Sequence, residues 1–170
     1  MDREQFKQQA LKLFEHIYRI ALGLSKDEDS AMDLVQDTYL KAWSAFEQFT
    51  PGTNMKAWLS RILYNTFVNE YKRREKIEFV NQNMFIAEQS DPAVEFIKNA
   101  MDEEIEKALN SLPDEYRSAI VLVDIGELSY EEAGNVLKCP VGTVRSRLKR
   151  ARDMLRSKLS EYAEKRGLKQ

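Results

Sequence analysis

The chain is poor in the residues that most often carry chemistry. It has 1 cysteine and 1 histidine among 170 residues. The lone Cys139 excludes an internal disulfide and any zinc site built on several thiolates. The lone His16 excludes His-pair metal sites and leaves little room for histidine-based catalysis. With 6 glycines and 4 prolines, the punctuation of a β sandwich or barrel is missing. No glycine-rich phosphate loop ends in Gly-Lys-Ser or Gly-Lys-Thr. The acids Asp27-Glu28-Asp29 lack the glycine and the spacing of a calcium loop. We therefore expect no cofactor, no metal and no enzymatic site. No apolar run approaches the ~20 residues of a membrane helix. Met1-Asp2-Arg3-Glu4-Gln5 leads into no signal-peptide core. The expectation is a cytoplasmic protein with no membrane insertion of its own.

What is present is charge and helical pattern. Hydrophobic residues make up 43% and charged ones 32%, too apolar for a wholly disordered chain. The length suits one compact domain or two small ones. The net charge of −2 hides a segregation: −3 over 1–50, +3 over 51–78, −10 over 79–135 and +8 over 136–170. Two basic blocks separated by an acidic stretch are a footprint for nucleic acid at two places, although basic runs are also common on plain solvated helix faces.

Apolar residues recur at helical spacing through most of the chain. Phe6, Ala10, Leu13, Phe14, Ile17, Ile20, Ala21 and Leu24 mark a first helical segment. Asp27 to Ser30 supplies N-cap candidates for a second helix. That helix carries Ala31, Leu34, Val35, Thr38, Ala42, Trp43 and Phe46 on one side. Phe49 to Asn54 reads as a turn-rich loop. A third helix is predicted from about Met55 to Arg74, with Trp58, Leu59, Ile62, Leu63, Phe67 and Tyr71 inward. From 76 to 95 the pattern dissolves into what reads as a flexible linker, and a linker of roughly twenty residues argues for two domains. Helical pattern resumes from Ile97, and Pro113 suits a helix first turn. Val121 to Ile125 could pass for a strand, but no partner strand is nearby.

The strongest motif lies beyond. Ser129-Tyr130-Glu131-Glu132 is a capping box. It opens a short helix with Ala133, Val136 and Leu137 inward and Gly134 at the crossing. Lys138 to Gly142 forms a turn, and a long basic helix follows, with Val141, Val144, Leu148, Ala151, Leu155 and Leu159 as its buried stripe. A capped short helix, a tight turn and a basic second helix is helix-turn-helix grammar, and such a second helix lies in the major groove.

At this point the sequence resembles a known family. Ser129 to Glu132, followed by Cys139-Pro140-Val141-Gly142-Thr143-Val144-Arg145-Ser146-Arg147-Leu148, is similar to domain four of sigma-70 factors, in their small extracytoplasmic-function (ECF) group. Asp33-Leu34-Val35-Gln36-Asp37-Thr38-Tyr39-Leu40-Lys41-Ala42-Trp43 resembles the family's polymerase-binding helix. Ala57 to Thr66, ending in Tyr71-Lys72-Arg73-Arg74, resembles its −10 recognition helix. The resemblance implies an all-α protein of two small helical domains joined by a flexible linker: sigma domain two over 1–75, a linker over 76–95, and sigma domain four with its helix-turn-helix over 96–170. It implies a promoter-specificity subunit of RNA polymerase, held inactive by an anti-sigma factor.

Residue by residue, the resemblance carries over three surfaces. Asp33, Leu34, Gln36, Asp37 and Lys41 would dock on core RNA polymerase, at the clamp coiled coil of its β′ subunit; domain four would meet the β flap. Phe49, Thr53, Asn54, Lys56, Arg61, Asn65 and Asn69 would meet the opened −10 strand of promoter DNA, with Lys72, Arg73 and Arg74 on its phosphates. A basic groove with amide groups suits single-stranded DNA and an extruded base. Ser146, Lys149 and Arg150 would face −35 bases, with Thr143, Arg145, Arg147 and Arg152 on phosphates. The chain departs from the family at Ala133, where a large aliphatic is common, at Gly134, where alanine is, and at Lys138, where glycine is frequent. Gly134 weakens a helix by up to ~1 kcal/mol relative to alanine. The competing reading is a stand-alone helix-turn-helix regulator with a sensor or dimerisation domain at its N-terminus. A second basic helix with its preceding loop disfavours it. A nucleic-acid enzyme would need a carboxylate or histidine cluster beside the basic helices, and the sequence offers none.

Overall fold

The computed structural model describes residues 1–78, 102–165 and 167. The chain divides into two units, Met1–Ile97 and Lys98–Gln170. Every regular element described is helical: the protein is all-α, in two helical clusters.

The first cluster comprises α1 (Arg3–Leu11), α2 (Phe14–Ser25), α3 (Glu28–Ser44), a 3₁₀ turn (Phe46–Gln48) and α4 (Met55–Glu78). Helices α2, α3 and α4 pack mutually. Ile17, Ile20, Ala21 and Leu24 of α2 meet Ala31, Leu34, Val35 and Ala42 of α3 and Leu59 and Leu63 of α4 in a fully buried core. The segment read as one helix from Phe6 is broken at Lys12 and Leu13. A residue 29 positions away meets the chain at this break. Tyr39 Oη donates to the Ala10 carbonyl at 2.8 Å, and Leu13 N takes the same carbonyl at 3.1 Å. That carbonyl serves a tertiary contact, and the chain restarts as α2. The acids before α3 are caps: Asp27 Oδ1 accepts from Ser30 N at 2.8 Å.

Between α3 and α4 an aromatic cluster fixes the loop. Phe6 lies 5.8 Å from Phe46, 6.0 Å from Phe49 and 5.8 Å from Trp58, with Phe49 5.3 Å from Trp58. Rings in these tilted and edge-on arrangements add to their burial. Trp43, read as inward, is exposed beside Phe46, with the Arg3 guanidinium over both rings. Helix α4 runs on past Arg74 to Glu78, into the stretch expected as linker; the rest of 76–95 lies outside the described residues.

The second cluster comprises α5 (Glu103–Asn110), α6 (Asp114–Ile120), a π-helical turn (Val121–Ile125), α7 (Tyr130–Leu137) and α8 (Val141–Lys165). Helices α5, α6 and α7 all pack on α8. The run Val121–Ile125 is not a strand but a wider turn extending α6, closed by Gly126 N on the Val121 carbonyl at 2.8 Å. The Ser129 capping box forms as read: Glu132 N meets Ser129 Oγ at 3.1 Å and Ser129 N meets Glu132 Oε2 at 2.8 Å. Helices α7 and α8, with the turn between them, make a helix-turn-helix. Val144, Leu148 and Ala151 of α8 are buried, while Val141, Leu155 and Leu159 are only half-buried. Arg117 sits 2% exposed in this core, its Nη2 on Asp114 Oδ1 at 2.8 Å.

Gly134 is where α7 meets the turn that follows it. A Cβ there would stand 2.9 Å from the Cys139 carbonyl oxygen. The missing side chain is thus the condition for this close approach of the turn backbone to α7. Lys138 caps α7 in the left-handed region, with φ 55°, a conformation glycine adopts at lower cost.

Candidate nucleic-acid and polymerase interfaces

On α4, a residue advances 100° around the axis per position. Arg61, Asn65, Asn69 and Lys72 therefore fall within about 80° of one another, and all four are exposed. The opposite side carries buried Leu59, Leu63 and Thr66. Two guanidinium or ammonium groups and two amides on one open stripe can hold phosphates and hydrogen-bond an unstacked base. Lys56 is half-buried at the head of the same helix.

The loop residues named with this stripe are placed differently. Phe49 is only 6% exposed, its ring held by Phe6 and Trp58. It belongs to the aromatic core, and no face is open for a base to stack on. Thr53 Oγ1 donates to the Thr50 carbonyl at 2.6 Å, beside Gly52 at φ 86°. Asn54 Oδ1 accepts from Ala57 N at 3.2 Å, which caps α4. Thr53 and Asn54 thus set the angle at which α4 begins, while remaining exposed.

At the far end of α4, Arg73 and Arg74 line a polar recess of about 280 Å³ with Glu70 and with Asp33, Gln36 and Asp37 of α3. Arg74 Nη1 also reaches Ser30 Oγ at 3.3 Å. Burial first, then a hydrogen bond with Asp37 and its charge, push the Glu70 carboxyl above its usual range, against the pull of Arg74 and Arg73.

Helix α3 turns Asp33, Gln36, Asp37 and Lys41 outward or half-outward. Leu34 does not join them. It is 1% exposed and packs in the core, because it shares its face with Ala31, Val35, Thr38 and Ala42. The apolar group on the outer face is Leu40, 66% exposed, which the sequence reading passed over. It follows Asp33, Gln36 and Asp37 at spacings of 7, 4 and 3, so all four share one face. Lys41 Nζ lies 3.1 Å from Thr66 Oγ1, joining α3 to α4.

On α8, Ser146, Lys149 and Arg150 share the exposed face opposite Val144, Leu148 and Ala151. The guanidiniums around them are engaged by other elements of the unit. Arg150 Nη1 donates to Tyr116 Oη at 3.1 Å. Arg147 Nη2 lies 3.8 Å from Glu115 Oε2, and its Nη1 lies 4.0 Å from Cys139 Sγ. Arg145 stands 5.7 Å over the Tyr130 ring. Arg152 makes a bidentate pair with Asp124, at 2.7 and 3.0 Å. That pair uses the fork geometry of the guanidinium and ties α8 to the π turn, so Arg152 has a structural role the sequence reading missed. Thr143 is half-buried in the first turn, its carbonyl accepting from Ser146 Oγ at 3.0 Å. Among the described residues, no group of three or more His, Cys, Asp or Glu could hold a metal ion. No helix there is long and apolar enough to cross a membrane.

Known proteins share this plan. Residues 12–77 match the family described as Sigma-70 region 2, and residues 102–155 match Sigma-70, region 4. The ECF RNA polymerase sigma factor EcfG of Rhodopseudomonas palustris is 40% identical over 140 residues, covering 79% of this chain and 74% of the relative. The ECF RNA polymerase sigma factor SigE of Mycolicibacterium smegmatis is 36% identical over 153 residues, covering 88% of this chain but only 59% of that longer relative. Among solved structures, the sigma factor RpoE in complex with the anti-sigma factor NepR, from Bartonella quintana, is similar with a TM-score of 0.78 and 35% identity, covering 92% of this chain and 98% of that one. CnrH in complex with the cytosolic domain of CnrY is similar with a TM-score of 0.63 and 26% identity, covering 94% and 90%. With the two regions matched in order, one per helical cluster, the chain belongs to the sigma-70 family as an ECF-type sigma factor carrying regions 2 and 4.

Proposed function

We propose that this chain binds core RNA polymerase, directs it to promoters and promotes initiation. Helix α8 reads the −35 duplex, with Ser146, Lys149 and Arg150 toward base edges and Thr143, Arg145 and Arg147 nearer the phosphates. The stripe Arg61, Asn65, Asn69 and Lys72 captures the opened −10 strand, with Arg73 and Arg74 beyond it. The outer face of α3, with Asp33, Gln36, Asp37 and the exposed Leu40, docks on the β′ clamp coiled coil of the polymerase. An apolar side chain ringed by polar ones is the usual anatomy of a docking centre. Domain four would meet the β flap, and 1–75 and 96–170 act as sigma domains two and four joined by 76–95. The protein works in the cytoplasm. An anti-sigma factor holds it in check; the support is that the RpoE relative was solved bound to one.

The observation that carries this reading is the pairing, in one chain, of an open amide-and-cation stripe on α4 with a helix-turn-helix arginine face on α8. A duplex-reading regulator needs only the second. Run-off transcription with core polymerase, on fragments from the gene's own upstream region, tests it. The expected result is new discrete transcripts that depend on this protein and are lost in Asn65→Ala and in Arg150→Ala. A tight footprint by the protein alone, with no core binding and no transcript, would instead establish a stand-alone regulator.

A further inference from the structure

We propose that Tyr116 is a positioning residue for Arg150, and through it sets how strictly the −35 sequence is read. This rests on the assignment of α8 as the −35 helix given above. Tyr116 lies in the first turn of α6, where its own N–H and that of Arg117 both close on the Pro113 carbonyl, at 3.0 and 2.9 Å. Its ring is half-buried and α6 packs on α8, so the phenol oxygen is held at a fixed place beside the recognition helix. Arg150 Nη1 donates to that oxygen at 3.1 Å.

An arginine has five N–H donors in a rigid fork. Tyr116 takes one hydrogen of Nη1. Four donors remain, among them a complete edge of the fork, so the guanidinium can hold the phenol and bridge guanine O6 and N7 at once. A free arginine side chain loses rotamer entropy when it is fixed. One already tethered before binding loses less, and it meets a wrong base without the freedom to swing to a neighbouring phosphate. Tethering thus acts on discrimination more than on total affinity. The phenol is uncharged and releases no counterion, so it leaves the salt dependence of binding unchanged.

The test is Tyr116→Phe, which keeps the ring and removes only the oxygen. Holoenzyme assembled from the full chain is assayed on a promoter and on its single-base −35 variants. For Tyr116→Phe we expect the preference for the best −35 base pair over its substitutes to fall about fivefold, a fold-change in the range of one lost hydrogen bond. The fall is confined to the positions that Arg150→Ala also relaxes, and the melting temperature is unchanged. In the double variant, Tyr116→Phe adds nothing to Arg150→Ala. If Arg150→Ala relaxes the −35 preference and Tyr116→Phe does not, the positioning role is overturned and the −35 assignment stands. Additive losses in the double variant overturn it too, since the phenol would then be touching DNA itself. If Arg150→Ala leaves the −35 preference intact, the assignment of α8 fails and takes this proposal with it.

Discussion

The two surfaces assigned to DNA carry similar charge but are built in different ways. The stripe on α4 comes from a single helix. Arg61, Asn65, Asn69 and Lys72 project from one helix into solvent, and Asn54 of the preceding loop caps its start. The arginines of α8 are instead cross-linked to the rest of their unit, through Tyr116, Glu115, Tyr130 and Asp124. The difference suits the targets proposed for the two surfaces. A separated strand is flexible and can adapt to side chains that move with it. A duplex presents base edges at fixed places in a groove, and reading it rewards groups already in position. On this view, damage to the C-terminal scaffold harms duplex reading while sparing strand capture.

Gly134→Ala breaks that comparison most strongly. Alanine favours the helix by up to about 1 kcal/mol. Its Cβ, however, meets the Cys139 carbonyl at 2.9 Å, and a backbone atom cannot step aside as a side-chain tip can. Overpacking of this kind costs about 1–3 kcal/mol. The expected result is faster amide hydrogen exchange at Val136 and Leu148, with weaker −35 duplex binding and unchanged binding of −10 single strands. Equal or slower exchange would mean that the turn can shift away from α7 without loss. The opposite change is Lys138→Gly, which relieves a side chain at φ 55°. It should stabilise the same unit by about 0.5–1 kcal/mol, read as slower exchange at those amides. No gain would show that the lysine is unstrained where it is.

These two positions also show what the sequence could and could not tell. Ser129 and Glu132 are three residues apart, and their capping box was legible because both partners are local. The helical phase of α8 was legible for the same reason. Gly134 was legible both as a small residue at a helix crossing and as a cost in helix propensity; what was not legible is that its tightest neighbour is the Cys139 carbonyl, from the turn beyond. Leu34 was read both as core and as polymerase contact; only the packing of α3 on α2 and α4 decides, leaving Leu40 outward. Phe49 was placed against the −10 strand by resemblance alone; Trp58 covers it from the head of the next helix and Phe6 from α1, 43 positions earlier. The contact at the break after Leu11 needs Tyr39, and the hold on Arg150 needs Tyr116, 34 positions earlier. Periodicity finds faces; it does not find the partner that crosses from another element.

A smaller effect separates charge from position within α8. Glu115 stands 3.8 Å from Arg147 and also acts on Arg150. On the proposed −35 reading, a carboxylate beside these cations repels phosphates of any sequence. Glu115→Gln should therefore tighten duplex binding about two- to threefold at low salt, equally for matched and scrambled −35 sequences, and the gain should fade as salt rises. Fluorescence anisotropy on both duplexes across a salt series measures it. A gain confined to the matched sequence would mean that Glu115 takes part in reading bases.

The smallest effect concerns the far end of α4, where Arg74 Nη1 already reaches Ser30 Oγ of α3 at 3.3 Å. There Glu70 faces Asp33 and Asp37 of α3, with Arg73 and Arg74 on its own helix. The Glu70 carboxyl is pushed up from its ordinary 4.5, chiefly by burial. An acid whose folded pKa exceeds its unfolded one binds more protons in the native state between those two values. Stability then falls as pH rises through that window, and the penalty persists at neutral pH. Glutamine mimics the protonated acid: it is neutral and can still donate to Asp37. Glu70→Gln should thus raise the melting temperature at pH 7, and the difference should shrink as pH falls through the raised native value and close below 4.5, where the unfolded carboxyl is protonated as well. A lower melting temperature for Glu70→Gln at neutral pH would reverse the sign. The Glu70 charge would then be held in place by Arg73 and Arg74 more strongly than burial and Asp37 oppose it, and the basic end of α4 would be clamped as the arginines of α8 are.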